Sequence, residues 1–190
     1  MLAEPIAVTL LVADALEALH VPYAIGGSLA GALHGVVRAT MDADLVADLS
    51  LEQVEPLARA LGDAFYADVA SMRSAVHRRA SFNVIHLESM FKVDVFCARP
   101  RAFDRSQLAR RQLHMLSEDP ERHAYVISAE DIVLAKLDWY RMGNEVSDRQ
   151  WLDVLGVLKV QGNRLDRDYM RRMADELGVA DLLQRALGER

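Results

Sequence analysis

The 190-residue chain is 52% hydrophobic and 26% charged, the composition of an ordinary globular protein with enough apolar material for one domain, or one domain with a helical annex. Its 22 Lys and Arg against 28 Asp and Glu give a formal net charge of −6, which argues against a surface that grips nucleic acid broadly but leaves room for a local basic patch. The single cysteine, Cys97, excludes an internal disulfide and disfavours a zinc site, and the absence of a long apolar run or a basic leader leads us to expect a cytoplasmic protein with no membrane span.

Pro5 opens a predicted helix over 5–20, in which Val8, Leu11, Val12, Ala15, Leu16 and Leu19 recur at helical spacing and should pack on a sheet. Pro22 breaks it. Residues 23–25 read as a first strand, 28–34 as a short helix closed by Gly35, 36–41 as a loop and 42–47 as a second strand. Ser50 and Gln53 form a capping-box pattern before an amphipathic helix that ends at Gly62. Within the ambiguous stretch 64–80, a short helix over 69–79 is expected. Strands over 82–87 and 90–97 make an antiparallel hairpin, 99–111 turns helical, and a strand over 123–127 follows a polar loop over 117–122. Ser128 then caps a helix over 129–142, and further helices run from Ser147 or Asp148 to 159, over 166–177 and over 179–187. The expected architecture is α/β (α+β): a mixed-sheet core over 1–127 flanked by helices, with a C-terminal helical bundle over 128–190 packed on it.

Two pieces of the stretch from Tyr23 to Asp48 carry chemistry. In Ile25-Gly26-Gly27-Ser28 an apolar strand stops at two glycines, which permit a tight turn and close approach of backbone to a ligand, and Ser28 opens a helix. N–H groups at such a helix start favour phosphate. In Met41-Asp42-Ala43-Asp44 the aspartates are two apart, so on a strand both project from one face, roughly 6.5–7 Å apart along the chain. Two such carboxylates repel, and a cation is their natural third party; an oxygen-only set suits Mg²⁺ or Mn²⁺, with substrate phosphates filling the remaining positions. The alternative is that both are strand-end caps or partners for Arg38. There is no Gly-Lys-Ser/Thr, which disfavours a P-loop.

A hydrophobic residue, Gly-Gly-Ser, a helix and Asp-x-Asp on a strand, with thirteen residues between Ser28 and Asp42, resembles the signature of the nucleotidyltransferase superfamily, the fold shared with DNA polymerase beta. The segments HGVVRATMDADL, AEDIVLAKLDWYR and DRQWLDVLGVL extend the resemblance over most of the chain, towards the bacterial nucleotidyltransferase-like proteins near the AbiEii-type toxins of type IV toxin–antitoxin systems. The resemblance implies a third carboxylate on a neighbouring strand, for which Asp94 in Phe91-Lys92-Val93-Asp94-Val95-Phe96 is the candidate, although Lys92 shares its face and would pair with it equally well. It implies metal ligation by Asp42, Asp44 and Asp94, and an NTP held at Gly26, Gly27, Ser28 and Arg38. Lys136 would reach the triphosphate, the alternative being a lysine that snorkels among apolar neighbours.

The acceptor implied is a hydroxyl of RNA, a tRNA end included, or of protein, and the partner implied is a cognate antitoxin. His34 reads as a helix-end cap, Asp148 as a cap outside the metal shell along with Asp153, and Trp139 and Trp151 as helix-packing anchors. Arg73, His77, Arg78 and Arg79, with Arg99, Arg101, Arg105, Arg110 and Arg111, make the middle third basic: either solvated helix faces or an approach for a polyanion. Two rivals to an enzyme remain: a nucleotide-binding module that kept the fold without turnover, and a helical adaptor, which would leave the alternating aspartates without purpose.

Overall fold

The computed structural model describes residues 4–36 and 40–188. Helix α1 (Glu4–Ala18) leads into β1 (Tyr23–Ile25), α2 (Gly27–Leu33) and β2 (Asp42–Ala47). Then follow α3 (Val54–Leu61), the two-residue β3 (Phe65–Tyr66), α4 (Val69–Arg78), β4 (Ser81–His86), β5 (Lys92–Cys97) and α5 (Ala102–Ala109). A hairpin of β6 (Gln112–Glu118) and β7 (Glu121–Val126) precedes α6 (Ala129–Met142), α7 (Asp148–Gln161), α8 (Arg167–Leu177) and α9 (Ala180–Gly188). No helix among the described residues is long and apolar enough to cross a membrane.

The strands form one mixed sheet in the order β3-β4-β5-β2-β1-β7-β6. β2 runs parallel to β5, and β1 parallel to β7; the other neighbours are antiparallel. Period-two alternation decides which face is which. Ala43, Leu45 and Ala47 of β2 and Val93, Val95 and Cys97 of β5 are buried, and α1 packs over β2 on that side while α4 packs on β4. The intervening residues, Asp42, Asp44 and Val46 with Lys92, Asp94 and Phe96, are half-buried on the opposite face.

Local signals placed most elements. Asp68 caps α4 by accepting from the Ala70 N–H, and Arg79 closes it in the left-handed region at φ 51°. Ser128 caps α6 by accepting from the Asp131 N–H, and Ser50 with Gln53 forms the capping box. Two strands escaped. β3 lies in the ambiguous stretch. β6 occupies the unassigned stretch after the expected helix and the start of the expected loop, and β7 takes the end of that loop, which shrinks to the two residues between Glu118 and Glu121. The reason is visible in β6 itself: at the sheet edge its Leu113 and Met115 face solvent, so its apolar alternation does not report burial.

A buried polar cluster ties the start of α6 to α8 and to the end of α5. The Tyr169 hydroxyl donates to Asp131 Oδ1 at 2.6 Å and the Ser128 hydroxyl to Oδ2 at 2.9 Å, while the Arg110 guanidinium lies 3.9 Å over the Tyr169 ring and 3.3 Å from Glu130. Burial holds the Asp131 carboxyl above the usual carboxylate range against these contacts. Around it the apolar core runs continuously from Val8 of α1 to Ala186 of α9.

Candidate active site

The glycine turn and the aspartate strand form one surface. The Gly26 N–H donates to the Asp44 carbonyl at 2.8 Å, so it secures the turn and is not left for a phosphate. Gly27 sits at φ +54°, and a Cβ added there would stand 1.7 Å from Asp44 Oδ2; only glycine lets the turn lie against that carboxylate. Ser28, buried, follows at the start of α2.

The parallel register sets Asp42 beside Lys92 and Asp44 beside Asp94, with neighbouring strands about 4.8 Å apart. Asp94 therefore reaches the face of Asp42 and Asp44, but its Oδ2 is 2.7 Å from Lys92 Nζ. Thr40 donates to Asp42 Oδ1 at 3.0 Å. The Asp44 carboxyl is pushed up to about 6, first by burial and then by the like charges of Asp42 and Asp94, with Lys136 and Lys92 opposing.

Across from this face stands α6. Lys136 Nζ lies 2.8 Å from Asp153 Oδ2 of α7, and both side chains are nearly buried, at 13% and 8% exposure. Lys136 thus does not snorkel: it is held inside, within electrostatic reach of Asp44. Between the sheet and these helices opens a cavity of about 550 Å³ whose lining includes Gly26, Gly27, Ser28, Asp42, Asp44, Lys136 and Asp153. Asp94 is not part of that lining, and Arg38 falls outside the described residues.

Among the described residues no group of three or more His, Cys, Asp or Glu side chains is gathered closely enough to hold a metal ion. The donor chemistry of Asp42 and Asp44 nevertheless fits a hard divalent cation. Both offer oxygen only, they share a strand face with no Lys or Arg salt-bridged to either among the described residues, and the Asp44 carboxyl, raised by burial and then by the like charges of Asp42 and Asp94, is one whose charged form a cation would stabilise. Asp94 fits as a third ligand only where Lys92 yields it.

Several residues named in the sequence take places that the sequence did not disclose. Asp153, set aside with Asp148, turns inward to Lys136, whereas Asp148 merely occupies the first turn of α7 behind its cap, Ser147. Trp139 is not the packing anchor its helix position suggested: it is 43% exposed on the cavity wall, edge-on to Phe96 at 5.4 Å. Trp151 does pack, against Tyr140 and under Arg185. His34 is buried, its ring N–H donating to the Ile127 carbonyl at 2.9 Å. The basic middle third divides. Arg79, Arg99 and Arg101 line the cavity, while Arg73 pairs with Glu55, and Arg110 and Arg111 lie over the Tyr169 and Tyr125 rings. Only the tertiary fold could have sorted them, since a charged residue on a helix looks the same in sequence whichever way it turns.

No protein-family model and no curated protein matches the chain. Solved structures do. An antigenic nucleotidyltransferase-like protein from Paracoccidioides brasiliensis is 17% identical over 97% of this chain and 90% of its own, with a TM-score of 0.58. The antibiotic-resistance factor ANT(2'')-Ia is 14% identical over 97% of both chains at a TM-score of 0.55. The lincosamide antibiotic adenylyltransferase LnuA, solved with lincomycin bound, is 15% identical over 84% of this chain and 98% of its own at 0.52. With the glycine turn, the mixed sheet and the paired aspartates in the same order as the signature requires, the chain has the nucleotidyltransferase fold.

Proposed function

We propose that the protein is a metal-dependent nucleotidyltransferase, moving a nucleotide from an NTP onto an acceptor hydroxyl. The observation that carries this reading is the contact of the Gly27 turn with the Asp44 carboxylate, which brings a phosphate-binding corner and a cation-binding pair to one end of one cavity. Mg²⁺ or Mn²⁺ held by Asp42, Asp44 and Asp94 would supply charge neutralisation at the α-phosphate and its leaving oxygen. Gly27 and Ser28 set the triphosphate against the start of α2, and Lys136 turns from Asp153 towards it. The acceptor oxygen forms a bond to the α-phosphorus, the bond from that phosphorus to its bridging oxygen breaks, and pyrophosphate leaves. The hydroxyl proton passes to the Asp94 carboxylate once Lys92 has released it. The motif resemblance extends the reading to RNA, a tRNA end included, or protein as acceptor, and to a toxin acting opposite a cognate antitoxin.

One observation favours a second reading, a nucleotide-binding module or toxin–antitoxin partner that retains the fold without turnover: Lys92 occupies the Asp94 carboxylate. Labelled NTP with Mn²⁺, supplied with RNA and with protein acceptors, separates the two. Transfer by the wild type that disappears in Asp44→Ala supports the enzyme. Calorimetric NTP binding with no label transferred to anything supports the binding module.

A further inference from the structure

The two edges of the sheet are built differently. β3 closes one side with two residues, too few to recruit another strand, whereas β6 closes the other with seven, Gln112–Glu118. An outer strand of that length carries a row of N–H and C=O groups turned away from its neighbour, and native chains commonly blunt it with Lys, Pro, a bulge or a covering element. Residues 112–117 include no Lys, Arg, Asp, Glu or Pro. Among the described residues, β7 alone hydrogen-bonds the β6 main chain. The one device present is the register shift between Met115 and Ser117, which leaves residues 112–115 regular. On that run Leu113 and Met115, opposite Tyr125 and His123 of β7, share a face and are 57% and 50% exposed.

The charges at the two ends of β6 are opposite in sign and unanswered. At its start the Arg111 guanidinium lies 4.5 Å over the Tyr125 ring; it has no carboxylate partner among the described residues, and its buried Nε has no hydrogen-bond acceptor. At its end Glu118 stands opposite Glu121, an unfavourable like-charge pair, and Asp119 follows in the turn. Neither Glu118 nor Asp119 is paired with a Lys or Arg among the described residues, and Arg122, close by in sequence, is held by both oxygens of Asp14 at 2.7 Å. Antiparallel pairing sets each end of a strand against the opposite end of its neighbour. The strand that answers β6 therefore reads basic, apolar, acidic in chain order, and β6 itself has that order.

We propose that β6 is a homodimerisation edge: two copies of the chain pair antiparallel through it, about a two-fold axis normal to the sheet at His114, and join their sheets into one. In that register Leu113 of each copy lies against Met115 of the other, which covers both exposed groups. Arg111 of each copy comes towards Glu118 and Asp119 of the other, a cation for the acidic end and an anion for the basic one. No residue of β6 lines the cavity, so the proposal goes beyond the transfer reaction and does not depend on it.

Sedimentation equilibrium of the intact protein over a wide range of concentration tests this, and the mass should rise from that of the monomer towards twice that value. Leu113→Lys and Met115→Lys each place a charge on the paired edge twice over, once per copy, and should weaken dimerisation roughly tenfold or more. Both positions face solvent in the single chain, so the melting temperature of the dilute protein should be unmoved. Glu118→Lys removes the repulsion by Glu121 within one chain and creates one with Arg111 between chains; the dilute protein should melt no lower while the dimer weakens. Under mild oxidation His114→Cys should yield a cross-linked dimer, because the axis sets position 114 against its own copy. Leu113→Cys, two residues out of step with its own copy, should not, and the native Cys97 is buried. A chain that stays monomeric throughout overturns the proposal, as does a dimer that both lysine variants leave intact. Cross-linking through Leu113→Cys and not through His114→Cys overturns the pairing about His114.

Discussion

At the scale of the residue, two positions bear the site. Gly27 holds a left-handed backbone with the Asp44 carboxylate where its side chain would be. Gly27→Ala therefore combines a backbone cost of about 1–2 kcal/mol with displacement of Asp44, and NTP binding by calorimetry should be lost even where circular dichroism shows the fold retained. Asp44 carries a tension of the opposite kind. Its carboxyl is raised from 3.8 to about 6 by burial and by Asp42 and Asp94, so between those values the folded state binds more protons than the unfolded one. Stability is fully present below the lower value and declines as pH rises through the upper one. The loss is at most about 3 kcal/mol, less where solvent reaches the half-buried group. Asp44→Asn should consequently raise the melting temperature at pH 7 while abolishing transfer, and should flatten the decline between pH 4 and pH 6. A variant that melts at or below the wild-type temperature at neutral pH would contradict the assigned repulsion.

At the scale of the element, α6 and α7 matter most, because they turn a sheet face into a cavity. α7 also clamps the chain that enters β2. A Cβ at Gly35 would stand 2.4 Å from Val160 and one at Gly156 2.7 Å from Val36, while Gln161 donates to the His34 carbonyl at 3.0 Å. The base of α6 depends on Tyr169, whose hydroxyl satisfies the fully buried Asp131. Tyr169→Phe removes that donor and leaves a buried carboxylate oxygen short of a partner, so chemical denaturation should show a loss of about 1–3 kcal/mol. These pairings were not legible beforehand. Ser128 announced the start of α6, but nothing in the spacing of α7 or α8 said that Asp153 would meet Lys136 or Tyr169 meet Asp131, because such contacts depend on how helices cross after the chain has folded. β6 was missed for the reverse reason: local alternation was present, and the sheet edge left it without the burial that usually accompanies it.

At the scale of the whole molecule, ligand and fold are linked. The inner end of the cavity gathers elements far apart in sequence, β1 and β2 with α6 and α7, so the NTP and Mn²⁺ of the proposed function would, once bound there, stabilise the folded chain by mass action. At a hundredfold excess over Kd the gain is about 2.7 kcal/mol, and thermal melts with a non-hydrolysable NTP should rise with ligand concentration. Chelation of the metal, or Asp42→Ala, should remove most of that rise. No change in melting at any concentration would tell against a nucleotide site in this cavity.

The sequence by itself determined the glycine turn, the alternation that puts Asp42 and Asp44 on one face, and the caps and periods that place most helices, because each of these is settled within a few residues of chain. The tertiary structure alone decided that Asp94 comes alongside Asp44, that Lys136 is held by Asp153, and that Trp139 faces an open cavity, whereas the pairing of Lys92 with Asp94 was already offered by their places two apart on one strand face. Strand register and helix crossing are set by the packing of the entire core. A side chain's neighbours across such a junction are fixed by that packing and by no pattern local to the residue.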